Sequence, residues 1–360
     1  MVEWKKLGEV ANLVRGKVIS KDYIRDFEGE YPVYSSQTAN DGVLGNINSY
    51  MFDGDFLTWT TDGAYAGTIF RRKGRFNITN VCGLIDITDN RIKQDFLYFW
   101  LSKAAKDYVL EGMGNPKLMS NVASTIKIPI PSLSEQQRIV GILDTFTAAI
   151  DNLKEQIAQR RKQYEYYRDQ LLDLEGKDGL ARIPLKDICE VVNGRAYSQP
   201  ELLCKGKYRV LRVGNFFSND SWYYSDLELD NKYYCKNGDL LYAWSASFGP
   251  HIWEEEKVIY HYHIWKMNCS DRIQKKFMYY WLQSEDMRKQ AFINLHGATM
   301  AHLTKALMES LQVPIPSLSE QSRIVSILDT FEANISNLEA QLMAREQQYE
   351  YYRNKLLTFE

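Results

Sequence analysis

The segment "PIPSLSEQQRIVGILDTF" at residues 129–146 recurs as "PIPSLSEQSRIVSILDTF" at residues 314–331. Aligned without gaps and counted position by position, residues 129–172 and 314–357 are identical at 30 of 44 positions. The sequence between the two copies barely repeats. This repeat predicts two copies of one structural arm, each preceded by a domain with its own sequence.

Apolar residues recur in both copies in alternating steps of four and three, which is the heptad spacing of helices that supercoil around one another. The predicted seam consists of Ile139, Leu143, Phe146, Ile150, Leu153 and Ile157 in the first copy, and of Ile324, Leu328, Phe331, Ile335, Leu338 and Leu342 in the second. These positions match except for Ile157 against Leu342, whereas the other faces differ, as at Lys154 and Glu339. Two helices of one coiled coil are therefore expected.

The start of each helix is marked by two prolines, which end the preceding extended segment because proline disfavours helix before it. Ser132 followed by Glu135 has the spacing of a capping box, as does the equivalent pair in the second copy. Ser134 is an alternative N-cap, and the sequence does not decide between the two serines. The helices are expected to end near Leu172 and Leu357, after about 38 residues or roughly 57 Å.

Composition limits the class of protein. The 360 residues carry a net charge of −2, so a nucleic-acid partner requires local basic patches rather than overall charge. Five widely spaced cysteines without a C-x-x-C pair argue against a disulfide framework or a zinc site and fit a reducing compartment. The N-terminus does not resemble a signal peptide, and no apolar run reaches membrane-spanning length. We therefore expect a cytoplasmic protein without contact to a membrane.

The two variable regions share a weak pattern. "LGEVANLVRGK" at residues 7–17 aligns with "LKDICEVVNGR" at residues 185–195, and both predict a short amphipathic helix and a glycine turn. "FLYFWL" at residues 96–101 aligns with "FMYYWL" at residues 277–282, each an apolar helix that must be buried. The regions between read as short strands with turn-rich loops. One mixed α/β fold with two different surfaces is predicted.

Two divergent domains, each followed by a helix that opens on "IPIPSLSEQQRIV" (128–140) or "VPIPSLSEQSRIV" (313–325), closely resemble the DNA specificity subunit of Type I restriction-modification systems. The resemblance spans the whole chain, and the segments at 31–42 and 238–247 also resemble parts of that family's target-recognition domains. It implies an α/β fold class: two mixed α/β target-recognition domains separated by two long helices that form an antiparallel coiled coil, with an internal pseudo-two-fold repeat. The implied boundaries are 1–131 for the first domain, 132–175 for the first helix, 176–316 for the second domain and 317–360 for the second helix.

The resemblance also implies a function. Each domain reads one half of a split, asymmetric site in double-stranded DNA, and the helices set the spacer between the halves. Two methyltransferase subunits that bind S-adenosylmethionine, and ATP-driven restriction subunits, supply the chemistry. No phosphate loop, G-x-G-x-x-G or N-P-P-[YF] motif occurs in the chain, so no catalysis, cofactor or metal of its own is expected. The alternatives are a non-catalytic coiled-coil scaffold that binds proteins and a standalone DNA-binding protein.

The DNA-contacting residues are chosen by chemistry, since phosphates attract Arg and Lys, and base edges suit Arg, Asn, Gln, Ser, Thr or His. In the first domain the candidates are Ser36, Gln37, Thr60, Thr61, Asp62, Tyr65, Arg71, Arg72, Lys73, Arg75, Asn115 and Lys117. "RRKGR" at 71–75 is the dense basic run, with a solvated hairpin turn as its alternative interpretation.

The second domain offers Arg195, Tyr197, Arg212, Asn215, Ser245, Ser247, His251, His296, Thr299 and His302. "HYH" at 261–263 suggests a metal site, but such a group on a strand is more often packing, and none is predicted. Partner docking is assigned to Val140, Ile142, Tyr166, Val325, Ile327 and Tyr351, with packing on the neighbouring domain or within the coil as the alternative.

Overall fold

The computed structural model describes residues 2–111, 114–174, 180–217, 219–245, 247–292 and 303–359. The chain divides into two compact units, Met1–Lys154 with Gln341–Glu360 and Glu155–Ala340. Each unit combines one mixed α/β domain with portions of both repeated helices, so the predicted fold class is confirmed. Among the described residues, no helix is both long and apolar enough to cross a membrane.

The first domain is built around one six-stranded sheet with the strand order β2-β7-β5-β6-β3-β4. Its elements are β1 (Glu3–Lys6), α1 (Leu7–Val10), β2 (Ala11–Arg15), α2 (Lys21–Asp26), β3 (Glu28–Tyr34), β4 (Val43–Ile47), β5 (Phe52–Thr60), β6 (Ile69–Ile78), β7 (Cys82–Ile87), α3 (Gln94–Ala104), α4 (Ser120–Ala123) and β8 (Lys127–Ile130). Only β3 and β6 pair in parallel; the other neighbours are antiparallel. The apolar helix α3 is buried against this sheet, as its sequence predicts.

The second domain has the same arrangement in two four-stranded sheets, β10-β17-β14-β15 and β12-β11-β16-β13. Its elements are β9 (Ala181–Pro184), β10 (Cys189–Asn193), β11 (Tyr208–Leu211), β12 (Tyr223–Ser225), β13 (Tyr234–Cys235), β14 (Leu240–Ala243), β15 (Gly249–Ile252), β16 (Val258–Tyr260), β17 (Ile264–Cys269), α6 (Lys275–Trp281), α7 (Glu285–Phe292), α8 (Lys305–Ser310) and β18 (Gln312–Ile315). The long strand β6 corresponds to the separate strands β15 and β16, and this interruption splits one sheet into two.

The repeated helices are α5 (Leu133–Leu172) and α9 (Leu318–Leu356). The Ser132 hydroxyl accepts a hydrogen bond from the Glu135 N–H at 3.3 Å, and Ser317 accepts one in the same way from Glu320. These two serines therefore cap the helices, which decides the choice that the sequence leaves open.

Each long helix is fastened to its own domain by a buried glutamine. The Gln136 amide donates hydrogen bonds to the carbonyl oxygens of Arg91 at 2.7 Å and Pro131 at 2.9 Å, and its oxygen accepts the Lys93 N–H at 2.8 Å. Gln321 repeats all three bonds in the second domain. Both side chains are fully buried. The loop before α3 or α6 is thus joined to the first turn of α5 or α9.

The first turns of the seam pack on the domains as well as on the end of the opposite helix. Ile139 and Leu143 are fully buried in the core of the first domain, and Ile324 and Leu328 in the core of the second. The seam assignment of these four residues stays a prediction, because each core combines domain residues with the end of the opposite helix, Leu172 of α5 in the second unit and Leu356 of α9 in the first. Val140 and Val325, predicted to dock partners, also pack against these cores.

Beyond these turns α5 and α9 pair with each other. In the first unit Phe146 stacks on Tyr352 with ring centroids 5.3 Å apart, and in the second Tyr167 stacks on Phe331 at 5.5 Å. Residue numbers rise on one helix as they fall on the other, so the predicted antiparallel pairing is confirmed. The two stacks are equivalent under the 185-residue offset of the repeat. Ile150 and Ile157 are buried, whereas the remaining predicted seam residues are half-buried: Leu153, Ile335, Leu338 and Leu342.

We predict that Gln136→Ala lowers the free energy of unfolding of the first unit by about 2–4 kcal/mol, because it leaves buried backbone groups without partners. Urea unfolding measures this loss. Hydrogen exchange at the Lys93 amide, which loses its acceptor, should accelerate. The control is Gln137→Ala at the adjacent exposed position, which should change stability by less than about 0.5 kcal/mol. Equal effects of the two substitutions would contradict the role of Gln136.

Candidate nucleic-acid interface

A short turn at residues 79–81 forms backbone hydrogen bonds with several loops of the first domain. The Thr79 N–H donates to the Tyr34 carbonyl at 2.8 Å, and the Thr61 N–H donates to the Val81 carbonyl at 3.1 Å. Lys17 forms an isolated parallel bridge with Thr79. The ends of β2, β3 and β5 therefore meet at residues 79–81. We call residues 17, 34–38, 61–65, 79–81 and 114–117 the first loop edge.

The second domain repeats this construction. The His261 N–H donates to the Leu211 carbonyl at 2.9 Å, the Trp244 N–H donates to the His263 carbonyl at 3.1 Å, and Arg195 bridges His261 in parallel. We call residues 195–197, 211–217, 244–245, 247 and 261–263 the second loop edge. The "HYH" segment thus occupies the place of residues 79–81 and is a structural turn. Within the described ranges, no group of three metal-ligating side chains is present.

A glycine lets this turn approach the neighbouring strand in both domains. A β-carbon on Gly16 would lie 2.1 Å from the Ile78 carbonyl oxygen, and one on Gly194 would lie 2.3 Å from that of His261. Both distances are far shorter than a van der Waals contact, so only glycine fits. The residue that follows each glycine, Lys17 or Arg195, is consequently held at the loop edge.

Several predicted residues of the first domain come together at this edge. The Gly63 N–H donates to the Pro116 carbonyl at 3.0 Å, and the Lys117 ammonium lies 3.8 Å from an Asp62 carboxylate oxygen. Tyr65 and Asn115 are exposed beside them. Ser36 and Gln37 follow Tyr34 and are partly buried. The loops after β5 and before α4 therefore form one continuous surface.

Thr60 and Thr61 are fully buried and do not face solvent. The Thr60 hydroxyl accepts the Thr68 N–H at 3.0 Å and donates to the Tyr65 carbonyl, so it shapes the loop. The Thr61 hydroxyl has no hydrogen-bond partner among the described residues. The geometry disfavours direct DNA contact by either side chain.

The basic run at 71–75 lies within strand β6 and not in a hairpin turn. Arg71 bridges Asp95 of α3 and Asp144 of α5 at 3.0 and 3.2 Å. Arg72 is buried, lies 2.7 Å from an Asp41 carboxylate oxygen and covers the Tyr34 ring.

Arg75 lies 2.9 Å from an Asp53 carboxylate oxygen, which raises the pKa of its guanidinium. Lys73 is exposed. The three arginines therefore stabilise the domain through internal ion pairs, and the geometry disfavours them as phosphate contacts.

At the second loop edge, Arg195 forms two hydrogen bonds to Glu201 and lies over Tyr197. The Glu201 pKa is lowered to about 2, chiefly by hydrogen bonding to Arg195. Arg212 is exposed, with its guanidinium 5.1 Å from the Tyr223 ring centroid.

The other predicted residues of this edge have different degrees of exposure. Ser247 is exposed and Ser245 is partly buried. The Asn215 amide donates to the carbonyls of Asn219 and Ser221, so it fixes its own loop. His296, Thr299 and His302 lie outside the described residues.

Burial disfavours the charged form of two histidines near this edge, His261 and His251. Burial lowers the pKa of His261 to about 4, with His263 and Arg212 adding repulsion. Burial also lowers the pKa of His251, whose ring lies 4.6 Å from that of Phe216. A neutral imidazole carries one donor and one acceptor, which suits a hydrogen-bonding surface.

The structure adds two candidate DNA-contacting residues that the choice by residue type omits. Lys17 is exposed and occupies the position of Arg195. The alignment of residues 7–17 with residues 185–195 contains this correspondence, so the repeat itself was the signal. Tyr262 is exposed at the centre of the second turn, where Asn80 lies in the first. Neither belongs to a recognisable motif.

Two domains with one framework and different loop residues, joined by antiparallel helices, are the architecture of a bipartite recognition protein. The family model for the type I restriction modification DNA specificity domain matches this chain at residues 1–160 and again at 178–345. The chain belongs to this family.

Curated relatives extend over nearly the whole chain. A putative type I specificity subunit of Mycoplasma pneumoniae is 29% identical over 98% of this chain and 96% of its own length. A putative type I restriction enzyme specificity subunit of Haemophilus influenzae is 30% identical over 99% and 96%.

The fold is also similar to that of a solved type I S subunit of M. genitalium, with a TM-score of 0.63 at 15% identity, covering 100% of this chain and 97% of that one. The structure of a type I restriction-modification assembly contains another similar chain, with a TM-score of 0.62 at 17% identity over 99% and 96%.

The pKa of His261 yields a prediction on acid stability. Its ordinary pKa is about 6.5, so between pH 6.5 and 4 the unfolded chain binds more protons than the folded one. Stability should fall on acidification through this window, with His261 contributing at most about 3 kcal/mol of the loss, and this contribution should be complete below pH 4. His261→Gln should flatten that part of the urea-midpoint profile. An NMR titration that placed His261 near 6.5 would contradict the prediction.

Proposed function

We propose that this chain is the DNA-reading subunit of a type I restriction-modification complex and that each loop edge reads one half of an asymmetric, bipartite site. The observation that carries the proposal is the recurrence of one backbone framework at both edges with different side chains on it. Lys17, Asn80 and residues 61–65 stand in the first where Arg195, Tyr262 and residues 244, 245 and 247 stand in the second. Two different half-sites are the natural ligands of two such surfaces.

The exposed side chains divide by chemistry. Lys17, Lys117 and Arg212 suit phosphates, while Asn115 and Ser247 suit hydrogen bonding to base edges, with the partly buried Gln37 beside the first edge. Tyr65 and Tyr262 add exposed rings with hydroxyl groups. With a net charge of −2, the few cations at the edges position the chain on DNA, and the uncharged groups carry the discrimination.

We assign spacing to the arms. Segments 132–175 and 317–360 hold the reading segments 1–131 and 176–316 apart. The 40 residues of α5 extend about 60 Å, which exceeds the 34–36 Å between half-sites one duplex turn apart. Since the arms have nearly the same sequence, they impose one spacing on two domains with different specificities.

The remaining roles belong to partners. We propose that this chain has no catalysis of its own, that two methyltransferase subunits modify the site, and that restriction subunits join them in the cytoplasm. Tyr166 and Tyr351 are about 60% exposed at equivalent positions of the arms, and Ile142 and Ile327 are half-buried. These four residues are the docking candidates that intramolecular packing leaves available. A protein-binding scaffold is the second candidate, but no single observation favours it.

The proposal is tested by mapping methylated adenines at base resolution in cells that express this chain with its methyltransferase. A split, asymmetric motif with a fixed unread spacer is expected. The absence of new methylation, with the methyltransferase shown to be active beside another specificity chain, would refute the proposal.

Asn115→Ala should relax discrimination in one half-site alone, by about 10–100-fold, since a base contact contributes roughly 1–3 kcal/mol. Lys17→Ala is the control: loss of a phosphate contact should weaken binding to all sequences and reduce the slope of log affinity against log salt by about 0.9. Selection and sequencing of bound DNA measures both. A change in both half-sites would contradict the assignment of Asn115.

Inserting one heptad into both arms, after Ile157 and after Leu342, should lengthen the spacer and leave both half-sites unchanged. Seven residues add about 10.5 Å, which sets an upper limit of about three base pairs. A heptad in one arm only is the control, because it breaks the antiparallel register and should abolish the motif. Altered half-sites in the doubly extended chain would contradict the spacing role.

A further inference from the structure

Two exposed ion pairs join α5 to α9 near the middle of the coil. In the first unit, the Lys154 ammonium lies 3.3 Å from a Glu346 carboxylate oxygen. In the second, the Arg161 guanidinium lies 2.5 Å from a Glu339 carboxylate oxygen. We call these the inner ion pairs. Both cations belong to α5, and both anions belong to α9.

The apolar surfaces of the arms cannot distinguish one arm from the other. The seam residues of the two arms are the same except for Ile157 against Leu342. The arm ends do differ: Phe359 packs on Phe96 and Trp100 in the first domain, whereas its equivalent Leu174 is buried in the second domain's core. Along the seam itself, two copies of α5 could pack as well as α5 packs with α9. Any preference must come from positions that differ between the arms.

The inner ion pairs are such positions. Lys154 and Glu339 are equivalent under the 185-residue offset, as are Arg161 and Glu346. If α5 paired with α5 of a second chain, Lys154 would face Arg161. If α9 paired with α9, Glu339 would face Glu346. Self-pairing thus replaces every inner ion pair by a contact between like charges.

The neighbouring heptad positions do not offset this effect. They carry Thr147 and Arg168 on α5, and Glu332 and Arg353 on α9. Two chains can form either one α5–α5 pair and one α9–α9 pair, or two α5–α9 pairs. The α9–α9 pair brings Glu332 opposite Arg353 twice. The two α5–α9 pairs bring Arg168 opposite Glu332 once each, which is also twice. The number of opposite charges is the same in each, so the charge discrimination along the coil rests on the inner ion pairs.

We propose that the inner ion pairs specify the pairing partner of each arm: α5 accepts α9, of its own or a second chain, and rejects a second α5. The consequence is that two different domains are always joined and two identical ones are not. Charge at these positions supports the asymmetry of the molecule along the coil, where the apolar seam cannot. This role of the arms does not depend on DNA recognition.

The size of the preference for α5–α9 pairing follows from the four inner ion pairs that two molecules contain. Each exposed pair contributes about 0.2–0.5 kcal/mol when opposite in charge and costs a similar amount when alike. The equilibrium constant for exchange into self-paired complexes is therefore reduced about 100-fold. With no preference, about half of all complexes would be self-paired; with this preference, about a tenth would be.

The test begins with the intact, folded chain. A protease site inserted between Leu174 and Leu180 is cut after folding, the two fragments are allowed to exchange, and native mass spectrometry counts cross-paired and self-paired complexes. The wild type should give at most about a tenth self-paired. Lys154→Glu with Glu346→Lys keeps both ion pairs within the chain but makes self-pairing attractive, so the self-paired share should rise several-fold above that of the wild type.

The matched control reverses both ion pairs, with Lys154→Glu, Arg161→Glu, Glu339→Arg and Glu346→Lys. It restores one sign to each arm and should behave as the wild type does. In 1 M salt, where exposed charges are screened, self-pairing of the wild type should rise. The proposal is overturned if the two-substitution variant self-pairs no more than the wild type, or if salt leaves the wild-type distribution unchanged.

Discussion

The buried hydrogen bonds of Gln136 and Gln321 are the contact on which the rest of the molecule depends. Each glutamine joins the first turn of an arm to the loop before the buried helix of its own domain. Burial makes these bonds costly to break, because no water can replace the lost partner. Equivalent hydrogen bonds therefore fix the direction in which each arm leaves its own domain. The ion pairs of Arg71 with Asp95 and Asp144 reinforce this junction in the first domain.

The loop edges can differ because their positions are set by the backbone. The turns at residues 79–81 and 261–263 are held by main-chain hydrogen bonds and by the glycine beside them. None of these contacts requires a particular side chain at Asp62 or Ser245. Side chains on the loops can therefore change without loss of the fold, and this property is needed in a protein that reads variable half-sites on a constant framework. The apolar side chains of the arms cannot vary in this way, since both arms must fit the same seam.

The repeated elements of the fold can be predicted from the sequence, whereas contacts between residues distant in the sequence cannot. The arms, their heptad spacing and the buried helix α3 follow from patterns in the sequence. The roles of Arg71, Arg72 and Arg75 do not, because the acidic partners Asp41, Asp95 and Asp144 are distant in the sequence and become neighbours only in the fold. Ile139 and Ile324 show the same limit: a heptad pattern predicts an apolar face but not which surface will cover it. Lys17 was accessible from the internal alignment, whereas the exposure of Tyr262 was not.

The central claim is that the two loop edges contact different halves of one DNA site. Site-specific photocrosslinking can test it, with a photoreactive residue placed at Tyr65 or at Ser247 in the complex with the methyltransferase, and at the exposed Met343 on α9 as the control. We expect the first two positions to crosslink to opposite half-sites and the control position to crosslink to neither. Crosslinks from both edges to the same half-site, or equal crosslinking from Met343, would contradict the claim.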